Sequence, residues 1–198
     1  MIKIMGVDPG LAATGVGVVR GQGLSVEGYS FGCISTSSDA PLPERLDYIF
    51  SQLHRLFSKE KPDMVVVEDV FSLKEYPKSG ISLGQVSGVV MVAASRAGIR
   101  CVAIPVREAK QVLTGNGNAS KVQLEGAVRR HLNHCGPIRP YHASDALGLA
   151  IIGLFRCGPA ERLQAGPAGG RGIRAMLAGK RGGGAARTTL VVAGGLLL

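Results

Sequence analysis

Apolar residues at Ile2, Ile4 and Val7, and again at Val16, Val18 and Val19, flank the turn Asp8-Pro-Gly-Leu-Ala-Ala-Thr-Gly15. Strand-like runs on both sides of a glycine-bearing turn predict two antiparallel strands. Leu24 to Ile34 predicts a third. The period then changes. Pro43 suits the first turn of a helix, and beyond it Leu46, Ile49, Phe50, Leu53, Leu56 and Phe57 recur at three- and four-residue steps. This apolar face should pack on the sheet. Asp63-Met-Val-Val-Val67 is an unbroken apolar run closed by Glu68, the pattern of a central strand buried on both faces.

Ser82 to Ala97 predicts a helix rich in small residues, among them Gly84, Ser87, Gly88 and Ala93, which permit close packing, including against a second subunit. A strand from Ile99 to Ile104 is stopped by Pro105, and a short helix spans Arg107 to Leu113. After the loop Thr114-Gly-Asn-Gly-Asn-Ala-Ser120, Ser120 and Gln123 have capping-box spacing for a helix running to about His131. The last helix, His142 to Phe155, is apolar through Ala146, Leu147, Ala150, Ile151 and Leu154. Three antiparallel strands followed by helix, strand, helix, strand and terminal helices make an α/β domain, with a mixed five-stranded sheet flanked by helices. No internal repeat is evident. From Cys157 onward Gly, Ala and Arg dominate, with little to build a core, so residues 1–156 are expected to form the domain and 157–198 a disordered tail.

The charge of +9 and pI near 9.8 favour an anionic partner, nucleic acid or an acidic membrane surface. Part of that charge belongs to the tail, whose six basic residues against Glu161 contribute +5 and leave +4 for the body. Cys33, Cys101, Cys135 and Cys157 include no C-x-x-C pair and no zinc-ligand spacing; mostly buried, reduced thiols are expected. Met1 to Asp8 lacks the pattern of a signal peptide. The apolar stretch Leu190 to Leu198 is about half the length a bilayer requires. A cytoplasmic protein without a membrane partner is the expectation.

The candidate chemistry lies where elements begin or end. In open α/β sheets the functional crevice lies beyond the carboxyl ends of the strands. Asp8 closes the first strand and Glu68 the strand expected beside it, while His142 and Asp145, three apart, share a face near the start of the last helix. Hard divalent ions take such oxygen ligands, and a pair of them can clamp the attacking and leaving oxygens of a phosphodiester. Each residue also has a plainer explanation. Asp8 in Asp-Pro-Gly is a common turn residue. Asp145 one turn into a helix compensates its dipole, and His142 alone would more often be a cap or core histidine. Glu68 is harder to dismiss, because an acid closing a buried Val run carries a desolvation cost that an ion would offset. Asp69 reads as its solvated neighbour.

The order of several motifs adds a resemblance. Ile4-Met-Gly-Val-Asp8-Pro-Gly-Leu-Ala-Ala-Thr-Gly15, Val67-Glu68-Asp-Val-Phe71, Leu83-Gly-Gln85, Lys110 before Gly115-Asn-Gly117-Asn-Ala-Ser-Lys121-Val-Gln123, and His142-Ala-Ser-Asp145-Ala-Leu together resemble the RuvC Holliday junction resolvases over roughly residues 1–156. That resemblance implies an RNase H-like fold and a homodimeric, magnesium-dependent endonuclease that nicks four-way DNA junctions symmetrically, using two Mg²⁺ ions with Mn²⁺ as an alternative. It also implies association with the RuvA and RuvB branch-migration proteins. Asp8, Glu68 and Asp145 match the family's metal-binding carboxylates, and His142 stands where many members carry a fourth acid and some a histidine. An imidazole there suits Mn²⁺ better than Mg²⁺. Phe71 matches the aromatic set against bases at the crossover, and Lys110 and Lys121 match basic residues near the scissile phosphate; on their own they would read as a core phenylalanine and two solvated lysines. Two departures stand out: Ser-Leu-Lys-Glu-Tyr-Pro-Lys after Phe71 lacks a Lys-Asn that members often carry, and Ser87 replaces a commonly basic residue. Two competing readings are an actin-like or sugar-kinase ATPase, disfavoured by the lack of a second Asp-Gly hairpin, and a non-catalytic junction-binding protein.

Overall fold

The structure is a computed structural model, and it describes residues 1–69 and 77–157 and the backbone of 193–195, with the side chains of 77–79 excepted. Two hairpins start the chain: β1 (Ile2–Asp8) pairs antiparallel with β2 (Ala13–Gln22), and β2 with β3 (Ser25–Ser35). On the other side of β1 lies β4 (Met64–Glu68), parallel to it, followed by β5 (Arg100–Ile104), parallel to β4. Burial of Met64 through Val67 matches their unbroken apolar run, since both faces of β4 are covered. These are the five strands the pattern predicts. A sixth, β6 (Ala193–Gly195), pairs with Tyr29–Phe31 at the β3 edge. That strand falls within the segment expected to be disordered, and the rest of 158–198 lies outside the described residues. An open edge offers unpaired backbone groups that even a Gly-rich segment can satisfy.

Helices cover both faces. On one, α1 (Leu42–Glu60) and α2 (Pro77–Arg96) place Ile49, Leu53, Phe57, Val86 and Val90 against Met5, Val7, Val65 and Val67. The helix predicted from Ser82 thus starts earlier, at Pro77. On the opposite face α5 (Tyr141–Arg156) lies directly on the sheet, and α3 (Val106–Thr114) and α4 (Lys121–Leu132) pack over it. The expected capping box opens α4: Ser120 Oγ accepts from the Gln123 backbone N–H at 3.2 Å, and Gln123 Oε1 from that of Ser120 at 2.8 Å. Because α5 is sandwiched between layers, every residue from Ala143 to Leu154 is buried. A helix in that position needs no polar stripe.

Two glycines set how closely α5 approaches the sheet. A Cβ on Gly6 would strike the carbonyl oxygen of Ala146, and one on Gly15 the carbonyl oxygen of His142. The first turns of α5 therefore rest on bare strand backbone. Among the described residues, no helix is long and apolar enough to cross a membrane. The cysteines depart from expectation: Cys157 is buried, but Cys33 and Cys101 are half-buried and Cys135, in the loop after α4, is exposed.

Gly15→Ala should destabilise the chain by about 3 kcal/mol, because the clash is with backbone that cannot rotate away. Denaturant unfolding of the variant measures this; a loss below about 0.5 kcal/mol would show that α5 can lift off the strand freely.

Candidate active site

The parallel register ends at Val7 beside Val67, which places Asp8 next to Glu68 at the carboxyl end of two neighbouring strands. Side chains alternate along a strand. Since Val7 and Val67 face α1 and α2, Asp8 and Glu68 turn to the other face, where α5 begins. There α5 presents His142 and Asp145 from its first turns. His142 Nδ1 lies 2.6 Å from Asp8 Oδ2, so the imidazole donates to the carboxylate. Thr14 Oγ1 donates to the Gly10 carbonyl at 2.8 Å and Thr36 Oγ1 to that of Leu11 at 2.5 Å, tying down the turn that follows Asp8.

The site concentrates negative charge in a largely dehydrated place. Asp8 and Asp145 are buried and Glu68 is half-buried. Burial first, then a proton shared with Asp8 and the charges of Asp8 and Asp145, push Glu68 up to about 9. Asp145 rises to about 6 from burial and the charge of Asp8, against the opposing pull of Lys121, His142 and Lys110. His142 is raised, chiefly by its hydrogen bond to Asp8. Thus the structure brings Asp8, Glu68, His142 and Asp145 together, with Lys110 of α3 and Lys121 of α4 within electrostatic reach. Phe71 lies outside the described residues. Carboxylates whose pKa is raised by burial and by a neighbouring acid in this way are a frequent mark of a functional site.

Does the donor set suit a metal ion? Asp145 Oδ1 is buried with no hydrogen-bond partner, an oxygen whose desolvation a cation would offset. Three carboxylates are hard donors. As the side chains stand, however, no three His, Cys, Asp or Glu residues among those described are arranged to hold an ion, and one Asp8 oxygen is engaged by His142. The chemistry of the donors fits a hard divalent ion, and closing around one requires Asp8 to exchange His142 for the metal or to share its two oxygens between them.

Glu125 escaped the sequence reading. It is buried on α4, where its Oε1 accepts the Ile138 backbone N–H at 2.8 Å, and Arg139 lies 3.7 Å away with its guanidinium over the Tyr141 ring. This anchors the segment that feeds into His142. The available signal was an acid in the apolar phase of α4, beside Leu124 and in step with Val128 and Leu132.

A mixed sheet of this order, with acids closing β1 and β4 and a third on the helix packed across them, defines a nuclease of the RNase H-like class. The family model for "Crossover junction endodeoxyribonuclease RuvC" matches residues 4–153, and the chain belongs to that family. A RuvC of Salinispora arenicola is 38% identical over 165 residues, covering 83% of this chain and 94% of that protein. One from Pseudoalteromonas atlantica is 39% identical over 151 residues, covering 76% and 86%. Among solved structures, Thermus thermophilus RuvC in complex with a Holliday junction substrate superposes with a TM-score of 0.73 at 30% identity, over 83% of this chain and 98% of that one. The actin-like and sugar-kinase reading falls with these matches.

Glu68 and Asp145 hold protons more tightly in the folded chain than in the unfolded one. Their contribution to the stability of the metal-free protein is therefore greatest at low pH and is lost as pH rises, for Glu68 from its ordinary 4.5 toward about 9 and for Asp145 from 3.8 toward about 6. Glu68→Gln should raise the melting temperature at pH 8 without divalent ions by about 3 °C, for a gain on the order of 1 kcal/mol, and flatten its decline with pH. Calorimetry across pH 5 to 9 checks this, and a lower melting temperature at pH 8 would contradict the crowding.

Proposed function

We propose that this chain resolves four-way (Holliday) DNA junctions by paired symmetric nicks during recombination and repair, with the chemistry carried by a nuclease domain over residues 1–156 in the cytoplasm. The observation that carries this reading is the convergence of Asp8, Glu68, Asp145 and His142 at the carboxyl ends of β1 and β4, with Lys110 and Lys121 in electrostatic reach, in a chain of the crossover junction endodeoxyribonuclease family. These four residues would hold two Mg²⁺ ions, or Mn²⁺ in their place. Such ions, when bound, supply Lewis-acid stabilisation of the attacking and leaving oxygens of a phosphodiester.

The chain's own groups have separable tasks. Lys110 and Lys121 bring positive charge beside the carboxylates, so that a DNA phosphate can enter a site that would otherwise repel it. His142 orients the Asp8 carboxylate through the 2.6 Å hydrogen bond. Phe71 would stack on bases at the crossover. Paired nicks need two sites, and α2 supports a homodimer: Gly84 and Gly88 have open space above them, while Met91 and Val92 are exposed on the same helix. The junction product of branch migration by RuvA and RuvB is the corresponding substrate, and association with those proteins belongs to the same proposal.

Mixing the purified protein with a synthetic four-way junction and Mg²⁺ or Mn²⁺ tests the reading: paired nicks support it, whereas binding without nicks identifies a non-catalytic junction binder. Asp8→Asn should bind the junction as the unsubstituted chain does while cleavage falls by roughly 10²-fold or more; full activity would remove Asp8 from the chemistry. His142→Asp should shift the metal preference from Mn²⁺ toward Mg²⁺, measured as the ratio of cleavage rates in the two ions, and an unchanged ratio would count against ligation by His142.

A further inference from the structure

Beyond the active site, the outer face of α4 carries a polar trough. One hollow lies between the loop after α3 and the helix, lined by Asn116, Gln123, Gly126 and Arg130 among others. A second, lined by Gly126, Arg129, Arg130, Asn133 and His134, continues toward the end of the helix. Because Gly126 and Arg130 belong to both, the two form one channel. Its near end, at Ala119, Val122 and Gln123, is the start of α4, the helix whose Lys121 acts on Glu68 and Asp145.

The cations along it are not equivalent. Arg129 is committed to structure, donating to the carbonyls of His134 at 3.3 Å and Cys135 at 2.7 Å. Arg130 is exposed and has no acidic partner among the described residues. Gly126 is also unexplained by packing. Glycine is unfavourable inside a helix, yet a Cβ here would meet nothing nearer than Arg130 Nη1 at 3.8 Å, an ordinary contact. What its absence does is leave the floor of the trough open to a close-lying backbone, beside the exposed Arg130 guanidinium.

We propose that this trough binds the sugar-phosphate backbone of a DNA arm leaving the cleavage site, with Arg130 as its phosphate contact and Gly126 as the clearance that lets the strand lie down. The inference rests on the junction-resolvase reading. Arg130 is nine residues beyond Lys121, about 14 Å further along the helix axis at 1.5 Å per residue and, at 3.6 residues per turn, on the opposite side of it. At roughly 3.4 Å of duplex axis per phosphate on one strand, the axial part alone spans about four phosphates, and the passage round the helix adds to that. The trough therefore engages the arm at least about four nucleotides from the phosphate that is cut. Its recognition is of charge and backbone shape, without a base preference.

The test is a titration of the full chain with a synthetic four-way junction in EDTA at several salt concentrations, together with phosphate ethylation interference. Arg130→Gln should weaken binding roughly fivefold and lower the slope of log affinity against log salt by about one, and interference should disappear at phosphates about four or more from the nick while it persists at the nick itself. Arg130→Lys should restore most of the slope. Arg55→Gln, on the helix layer across the sheet, should leave the slope as it was. Gly126→Leu should weaken binding while the melting temperature does not fall, which separates a blocked trough from an unfolded helix. If the unsubstituted chain binds no junction, the functional reading and this inference fall together. If it binds and nicks but Arg130→Gln keeps the full slope and the same interference pattern, the inference alone is overturned.

Discussion

The approach of α5 to β1 and β2, close enough that carbonyl oxygens of the helix occupy the space of two missing Cβ atoms, governs the rest of the molecule. Gly6 lies under Ala146 and Gly15 under His142, so the helix is held by contacts that a larger residue would push apart. Its depth puts Asp145 and His142 over the strand ends that carry Asp8 and Glu68. It also leaves α5 without a solvent face, which is why α3 and α4 can pack over it and why the lysines on those helices reach the same site.

The consequence is an electrostatic arrangement that the fold tolerates without being stabilised by it. Asp8, Glu68 and Asp145 sit where water is scarce, and the charge of Asp8 makes ionisation of both Glu68 and Asp145 harder. Partial relief comes from within the chain through His142 on Asp8 and the field of Lys110 and Lys121. Asp145 keeps one buried oxygen without a partner. Functional sites commonly retain such destabilising groups because the ligand compensates them. Here the compensation available is cationic, and an anionic phosphate backbone can approach only where that charge is offset.

Much of this was legible in the chain because it is written in local patterns. The unbroken run before Glu68 announced a strand covered on both faces, Ser120 with Gln123 announced the start of α4, and the spacing from Leu46 to Phe57 announced the face of α1 that meets the sheet. Other features left weaker traces. The earlier start of α2 is marked only by Pro77 at its first position, with no capping side chain before it in the sequence, and β6 lies in a segment whose composition argues against structure. Glu125 looked like any charged helix residue until the loop holding Ile138 was seen to fold back on it.

The linear sequence by itself determined the elements, their order and the residue types capable of the chemistry, since turn residues, hydrophobic periods and caps act over a few positions. The ordered motifs also carried the family. Only the tertiary structure decided that Asp8 would hydrogen-bond His142, that Glu68 would be driven to about 9 while Asp145 rises to about 6, and that Lys110 and Lys121 would lie within electrostatic reach of the acids. Those outcomes depend on distances and dehydration set by how α5 meets the sheet. A pairwise field falls off in space, and no spacing along the chain reports it.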